Sequence, residues 1–335
     1  MLEFTIDGSD LRIDATHYSV RVATAGYTSG TKAGSFVDHQ TGSRDLGFGL
    51  SIVDFLLEPT TAQRLGEPDQ YEIAPKQPAH GKIPKRYVEG PQICTQARRL
   101  PYETVLGTDF LVVRMWYRFS KAYPPHNAGS RWEQTLIFPE RTRYFFSADR
   151  VTSVNDHPAL ILRIDMPGHI KHTRGDSFER VFLSYAGSIS SRSFTTDFGP
   201  DEQFLYRRPQ RRLPEHMIRA YEVRTAETAG PWLAGITLDP ADVYEAWCHQ
   251  RGYVCMIQEI GGRPVGRGQT FGACYCIGWF EHIEEMISVA ETHRGWSGLA
   301  LAGPVDRPNR FYGIKQAELP SVRPIASNPD GTGSS

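Results

Sequence analysis

The sequence predicts a mostly β protein, a large antiparallel β-sandwich with two short helices near its C-terminal end. Three observations carry this. The 31 glycines and 23 prolines among 335 residues punctuate the chain throughout, as short strands joined by turns require. Aromatic residues reach 11%, and many sit among β-branched neighbours, as in FLVVRMWYRF at 110–119. Alternation of apolar and polar residues recurs, as in HYSVRVA at 17–23, whereas helical periodicity is confined to the last third.

Residues 2–6 and 11–14 read as a hairpin around Asp7-Gly8-Ser9, a turn of residues that tolerate positive φ. A glycine-dotted segment from Gly26 to Gly49 leads into LSIVDFLLEP and reads as meandering strands, because it has neither a GxxxxGK[ST] pattern nor a following helix. Residues 59–84 are polar and proline-rich, a connection of the length that often carries function. Strands are expected at 87–97, 102–105 and 110–119, then a loop at 121–130, then strand and turn from 131 to 198. Asp239-Pro240 supplies an N-cap and a proline at the first helical position, predicting a helix to Gly252 with Val243, Ala246, Trp247 and Gln250 on one face. A second helix is expected over 280–294, with Phe280, Ile283, Met286, Ile287 and Ala290 as its apolar stripe and acidic residues near its start. A single domain is expected over 1–312, with an extended tail over 313–335 whose last residues are disordered.

Hydrophobic content of 40% and charged content of 22% fit a soluble globular chain, and the net charge of -1 argues against a dedicated nucleic-acid binder. No apolar run is long enough for a membrane span, and the N-terminus has no secretory pattern, so a cytoplasmic protein without membrane partners is expected. The five cysteines then read as reduced thiols. Cys248, His249, Cys255, Cys274 and Cys276 lack the spacing of paired zinc ligands. Arg207, Arg208, Arg211 and Arg212 read either as a solvated loop or as a clamp for an anionic group.

Chemistry-bearing residues are densest between 131 and 172. In WEQTLIF, Trp132, Gln134, Leu136 and Phe138 share one face, and Glu133, Thr135 and Ile137 the other. In ALILRID, Leu160, Leu162 and Ile164 face a core, whereas Ile161, Arg163 and Asp165 face away. His169 and His172 follow Pro167-Gly168 and lie on a turn, which excludes a helical HExxH zinc site. A carboxylate, an imidazole, an arginine and an aromatic platform are what a sugar site uses. The residues expected to move protons are Asp165, His169, Glu133 and Glu89, with Trp132, Arg163, His172, Tyr185 and Glu259 binding substrate. No motif calls for a cofactor, and a divalent metal on the HxxH pair with Asp165 or Asp176 stays open as an alternative. No GxSxG elbow or GxGxxG turn is present.

Roughly fifteen short strands in one chain, with aromatic, arginine, histidine and acidic residues on exposed strand faces, resemble the large β-sandwiches of the galactose-mutarotase-like group. The resemblance is architectural and implies a supersandwich-like fold in which a histidine and a carboxylate, or a histidine and a tyrosine, perform acid/base work on a sugar. The expected function is a carbohydrate-active enzyme, a hydrolase or lyase that cleaves a glycosidic linkage. A sugar isomerase or mutarotase and a non-catalytic carbohydrate-binding protein are the alternatives. The expected partner is a sugar or glycoside, and the chain is compatible with a homo-oligomer.

Overall fold

Alternation along RWEQTLIFP and its neighbours builds the larger of two packed sheets. A computed structural model describes residues 2–60, 85–172, 177–199, 203–224 and 229–321. Among these, nine strands form an antiparallel sheet in the order Gly187–Ser190, Phe178–Leu183, Met217–Arg224, Ala229–Thr237, Thr270–Phe280, Tyr144–Thr152, Arg131–Pro139, Phe110–Arg118 and Tyr102–Leu106. Seven form a second sheet in the order Tyr206–Arg207, Val243–Gln250, Val254–Val265, His157–Ile170, Ile52–Pro59, Lys85–Gly90 and Lys121–Ala122. The expected mostly β sandwich is what forms.

Between the sheets lies one large apolar core. Leu111, Val113, Trp132, Leu136 and Phe138 of the larger sheet meet Val53, Leu160, Leu162, Ile164 and Met166 of the smaller. A four-stranded N-terminal meander, Glu3–Asp7, Asp10–Asp14, Tyr18–Ala23 and Val37–Asp38, adds Ile13, Tyr18, Val20 and Phe36 to this core. It begins with the expected hairpin. The outer face of the nine-stranded sheet is apolar too, with Val112, Ile137, Phe146, Ile218 and Cys274. The helix Ile283–Thr292 and the hairpin Gly298–Ala302/Arg310–Ile314 cover it through Met286, Ala290, Trp296 and Phe311.

The first C-terminal helix does not form. Asp239 does cap a turn, its side chain accepting from Ala241 N at 2.9 Å, but the turn is a single 3-10 turn over Pro240–Asp242. Val243–Gln250 continues as a strand in which every residue is buried. A strand covered on both faces shows no clean alternation, and the sequence pattern alone cannot separate it from a buried helix. The expected strand over 87–97 is shorter, Lys85–Gly90, and gives way to a helical turn at Ile93–Gln96. Strand Arg310–Ile314 runs across the boundary expected between a domain ending at 312 and a tail beginning at 313, and Leu319 beyond it is buried. The connection 61–84, Asp176 and the last residues of the chain lie outside the described residues. No helix among the described residues is long and apolar enough to cross a membrane.

Trp132 is fully buried, and its indole Nε1 donates to Asp149 Oδ1 at 2.9 Å inside the sandwich. Trp132→Ala is expected to lower unfolding free energy by about 3–5 kcal/mol, from the cavity it opens, and it also strips Asp149 of a donor. Denaturant titration checks this. A loss well under 1 kcal/mol contradicts a core position.

Candidate active site

The outer face of the seven-stranded sheet carries charge where the outer face of its partner carries apolar side chains. Because Leu162 and Ile164 point into the core, Arg163 and Asp165 point out of it. Arg163 donates to Glu259 Oε1 on the adjacent strand through Nε at 3.0 Å and Nη2 at 2.7 Å. Lys85 Nζ lies 3.0 Å from Glu259 Oε2 and pairs with Glu245 as well. Arg207 completes the row with two hydrogen bonds of 3.1 Å to Glu245 Oε1. The Trp247 ring takes both Lys85 and Arg163 against its face at 5.3 Å. None of the five charged side chains is more than 8% exposed.

Beside this row stand the groups able to move protons. His169 Nε2 lies 3.1 Å from Asp165 Oδ1, with both atoms buried and out of line for a well-directed hydrogen bond. Residues four apart on a regular strand are separated by about 13 Å. Here Asp165 stands opposite Ile257 and His169 opposite Cys255, so four steps along one strand match two along the other. The surplus is taken up by a bulge at Met166-Pro167-Gly168, which returns His169 to the face of Asp165. A side chain at Gly168 would meet Gly49 O at 2.2 Å, and one at Gly47 would meet His169 O at 1.9 Å. Absence of Cβ atoms there lets Phe48 N donate to His169 O at 3.1 Å.

Asp54, half-buried on the next strand, accepts from the Gln92 amide and lies 3.7 Å from Cys94 Sγ. Burial, reinforced by the Asp165 carboxylate, pushes its pKa up to about 7 against the opposing pull of Arg163, Gln92 and His169. Burial alone would lower His169, but Asp165 outweighs it and holds the imidazole well above its ordinary value. Burial raises the thiol of Cys94 and the phenol of Tyr27, so both stay protonated. Phe48 and Tyr253 flank His169 with ring centroids at 6.3 and 5.4 Å, and Tyr253 and Tyr27 are 38% and 41% exposed. Phe55 and Tyr87 pack together at 5.0 Å. The result is a proton-handling pair of carboxylates with an imidazole, inside an aromatic rim.

Of the residues singled out from sequence, Asp165, His169, Arg163 and Glu259 come together on this face, and five lie elsewhere. Trp132 is in the core, so its ring has no free face for stacking. Glu133 is on the other sheet, bridging Arg131 and Arg150 at 3.0 and 2.9 Å. Glu89 is buried and accepts from Gly129 N, Ser130 N and Oγ, and Asn155, a role in holding the 127–130 loop. His172 points away from His169, stacking on Phe178 at 3.9 Å with Nδ1 2.6 Å from Ser177 Oγ. Tyr185 donates to Phe204 O at 3.3 Å and packs on Tyr206. Arg207 is neither solvated nor free to clamp a ligand, and Arg208 is spent on the carbonyls of Ala241, Gly261 and Gly262. The five cysteines are free and buried. Cys248, Cys255 and the pair Cys274 and Cys276 sit in three separate apolar clusters.

Sequence reasoning missed Asp54, although an acid isolated in the apolar run SIVDFLL was a usable signal. It missed Lys85, Glu245 and Trp247 because the pattern around 243–250 predicts a helix and Lys85 directly follows a proline-rich stretch of sequence.

No family model and no curated protein matches the sequence. Solved structures are similar at low identity. A protein assigned as an aldose 1-epimerase from Klebsiella pneumoniae has 9% identity and a TM-score of 0.44, over 87% of this chain and 85% of that one. A galactose 1-epimerase from Lactobacillus acidophilus has 9% identity and a TM-score of 0.42, over 84% and 99%. A galactose mutarotase related enzyme from the same organism has 12% identity and a TM-score of 0.38, over 81% and 97%.

Asp54, Asp149 and Asp242 each have a folded pKa of about 7 against an ordinary 3.8. The folded state therefore holds more protons than the unfolded state between these values, and stability is lost as pH rises through that window. His169, also raised, adds a loss in the same direction at higher pH. Glu58, lowered to about 2, acts oppositely, losing its contribution only as pH falls toward that value. The thermal midpoint is expected to fall from about pH 5 to pH 8, and Asp149→Asn to flatten the fall. A midpoint that rises over this range contradicts these environments.

Proposed function

We propose that the protein is a carbohydrate-converting enzyme that interconverts forms of a sugar by general acid/base catalysis at the outer face of the seven-stranded sheet. One observation carries this reading. Asp54, its pKa raised to about 7, shares a face with His169, which the Asp165 carboxylate keeps in its charged form. A carboxyl that titrates near neutrality and an imidazole held in its charged form on one surface can take and give a proton.

In this reading the sugar ring lies between Phe48, Tyr253 and Tyr27, which cover its apolar face, while Gln92 and Tyr87 reach its hydroxyls. Asp54 takes the proton of the anomeric hydroxyl as His169 gives one to the ring oxygen. The ring carbon–oxygen bond breaks, leaving an open-chain aldehyde. Rotation about the adjacent bond and the reverse transfers close the ring as the other anomer. No outside reactant is consumed, and both groups are restored. Asp165 keeps His169 in its charged, oriented form.

Interconversion is preferred over glycosidic cleavage for a chemical reason. Cleavage uses an ionised carboxylate as nucleophile or as the base for a water molecule. Here Asp165 is engaged by His169, so among the described residues of this face Asp54 stands without the second, unengaged carboxyl that cleavage pairs with it.

NMR exchange spectroscopy across a panel of aldoses tests the proposal. The protein is expected to accelerate anomer exchange of at least one sugar, with Asp54→Asn and His169→Gln each lowering kcat by about 10²–10⁴-fold while circular dichroism is unchanged. The rate is expected to depend on a group with pKa near 7, a dependence that Asp54→Asn removes. Unchanged rates in both variants overturn the assignment. Release of an aryl group from aryl glycosides without anomer exchange replaces it with cleavage.

A further inference from the structure

A second cluster lies outside the proposed active site, at the far end of its two central strands. Glu58 closes strand Ile52–Pro59, His157 opens strand His157–Ile170, and His126 comes from the loop after Lys121–Ala122. Glu58 Oε1 is 3.0 Å from His126 Nε2, and Oε2 is 3.1 Å from His157 Nδ1. The imidazole centroids are 4.7 Å apart. One donor atom from each residue lies within 4.8 Å of the other two. Their side chains are 3%, 8% and 0% exposed.

Hydrogen bonding alone leaves this cluster incomplete. Glu58 is well supplied, since Arg86 also donates to it. His157 is not. With Nδ1 donating to Glu58, its Nε2 is buried without a hydrogen-bond partner among the described residues. In the neutral ring that nitrogen holds an idle lone pair, and in the charged ring an idle N–H, so neither state satisfies both nitrogens. Two imidazoles and a carboxylate, drawn from three separated segments, form a donor set that suits zinc and neighbouring first-row divalent ions. Arg86 stands where a group that orients a ligating carboxylate belongs.

We propose that Glu58, His126 and His157 form a binding site for a single divalent transition-metal ion of the zinc type, one that ties the loop carrying His126 to the ends of the two strands bearing Asp54 and Asp165. The site is separate from the proposed catalytic face, and its role is structural. Ion binding to the folded chain raises its stability by mass action.

Full-length protein stripped with chelator and titrated with Zn²⁺ alone in a calorimeter is expected to bind one equivalent, with a rise in thermal midpoint. His126→Gln is chosen because His126 lies on a loop outside both sheets. It is expected to weaken binding by at least about tenfold and to remove the rise, with circular dichroism unchanged. Should that variant fail to fold, electron paramagnetic resonance of the wild-type protein with Cu²⁺ decides, since nitrogen couplings from two imidazoles are expected. No binding by the wild-type chain, equal binding by His126→Gln, or a Cu²⁺ spectrum without those couplings overturns the proposal.

Discussion

Two buried glutamates, Glu245 and Glu259, and the three cations that satisfy them set the terms for the seven-stranded sheet. An ion removed from water without a partner costs several kcal/mol, so such groups are tolerated only as a complete set. Lys85, Arg163 and Arg207 reach the two carboxylates from three further strands. The set is satisfied only when all five strands are in register, because a one-residue slip would turn each charged side chain toward the core. Commitment of Arg163 to Glu259 also limits how far its charge relieves Asp54, whose pKa stays raised. The row that fixes register thus also prepares the proton-handling groups above it.

The two sheets treat their outer faces differently, and the proposed site lies on the polar one. The nine-stranded sheet hides an apolar outer face beneath a helix and a hairpin. The seven-stranded sheet presents polar side chains backed by Trp247 and Phe55, with aromatic rings at the rim. Within that face one irregularity matters most. The bulge at Met166-Pro167-Gly168 brings His169 back beside Asp165, and Gly47 and Gly168 allow the neighbouring backbone to press against it.

Legibility of the site in the sequence followed the regularity of the strands. Arg163 and Asp165 sit in an unbroken alternation, ALILRID, and period-2 reasoning placed both on the outer face. Trp132 was assigned to its correct face by the same rule, yet that face is the core, because alternation gives two sides without naming which is buried. His169 and His172 looked equivalent as an HxxH pair, and only the bulge separates them, sending one to Asp165 and the other to Phe178. Glu245 and Trp247 were read as helical because the Asp-Pro cap was real, while burial on both faces erased the strand signal.

The amino-acid chain alone specifies the class of fold and most strand positions, because turn residues and alternation act over a few neighbours and need no distant partner. It also determined which strand carries Arg163 and Asp165. Three-dimensional packing, by contrast, brings Asp54 beside them, makes Glu259 the partner of Arg163 while Glu133 and Glu89 serve elsewhere, and gathers two histidines on Glu58 at the other end. The contacts of Glu58 with His126 and of Asp54 with Asp165 cross 68 and 111 residues of sequence. They depend on sheet register and one bulge, which no local pattern encodes.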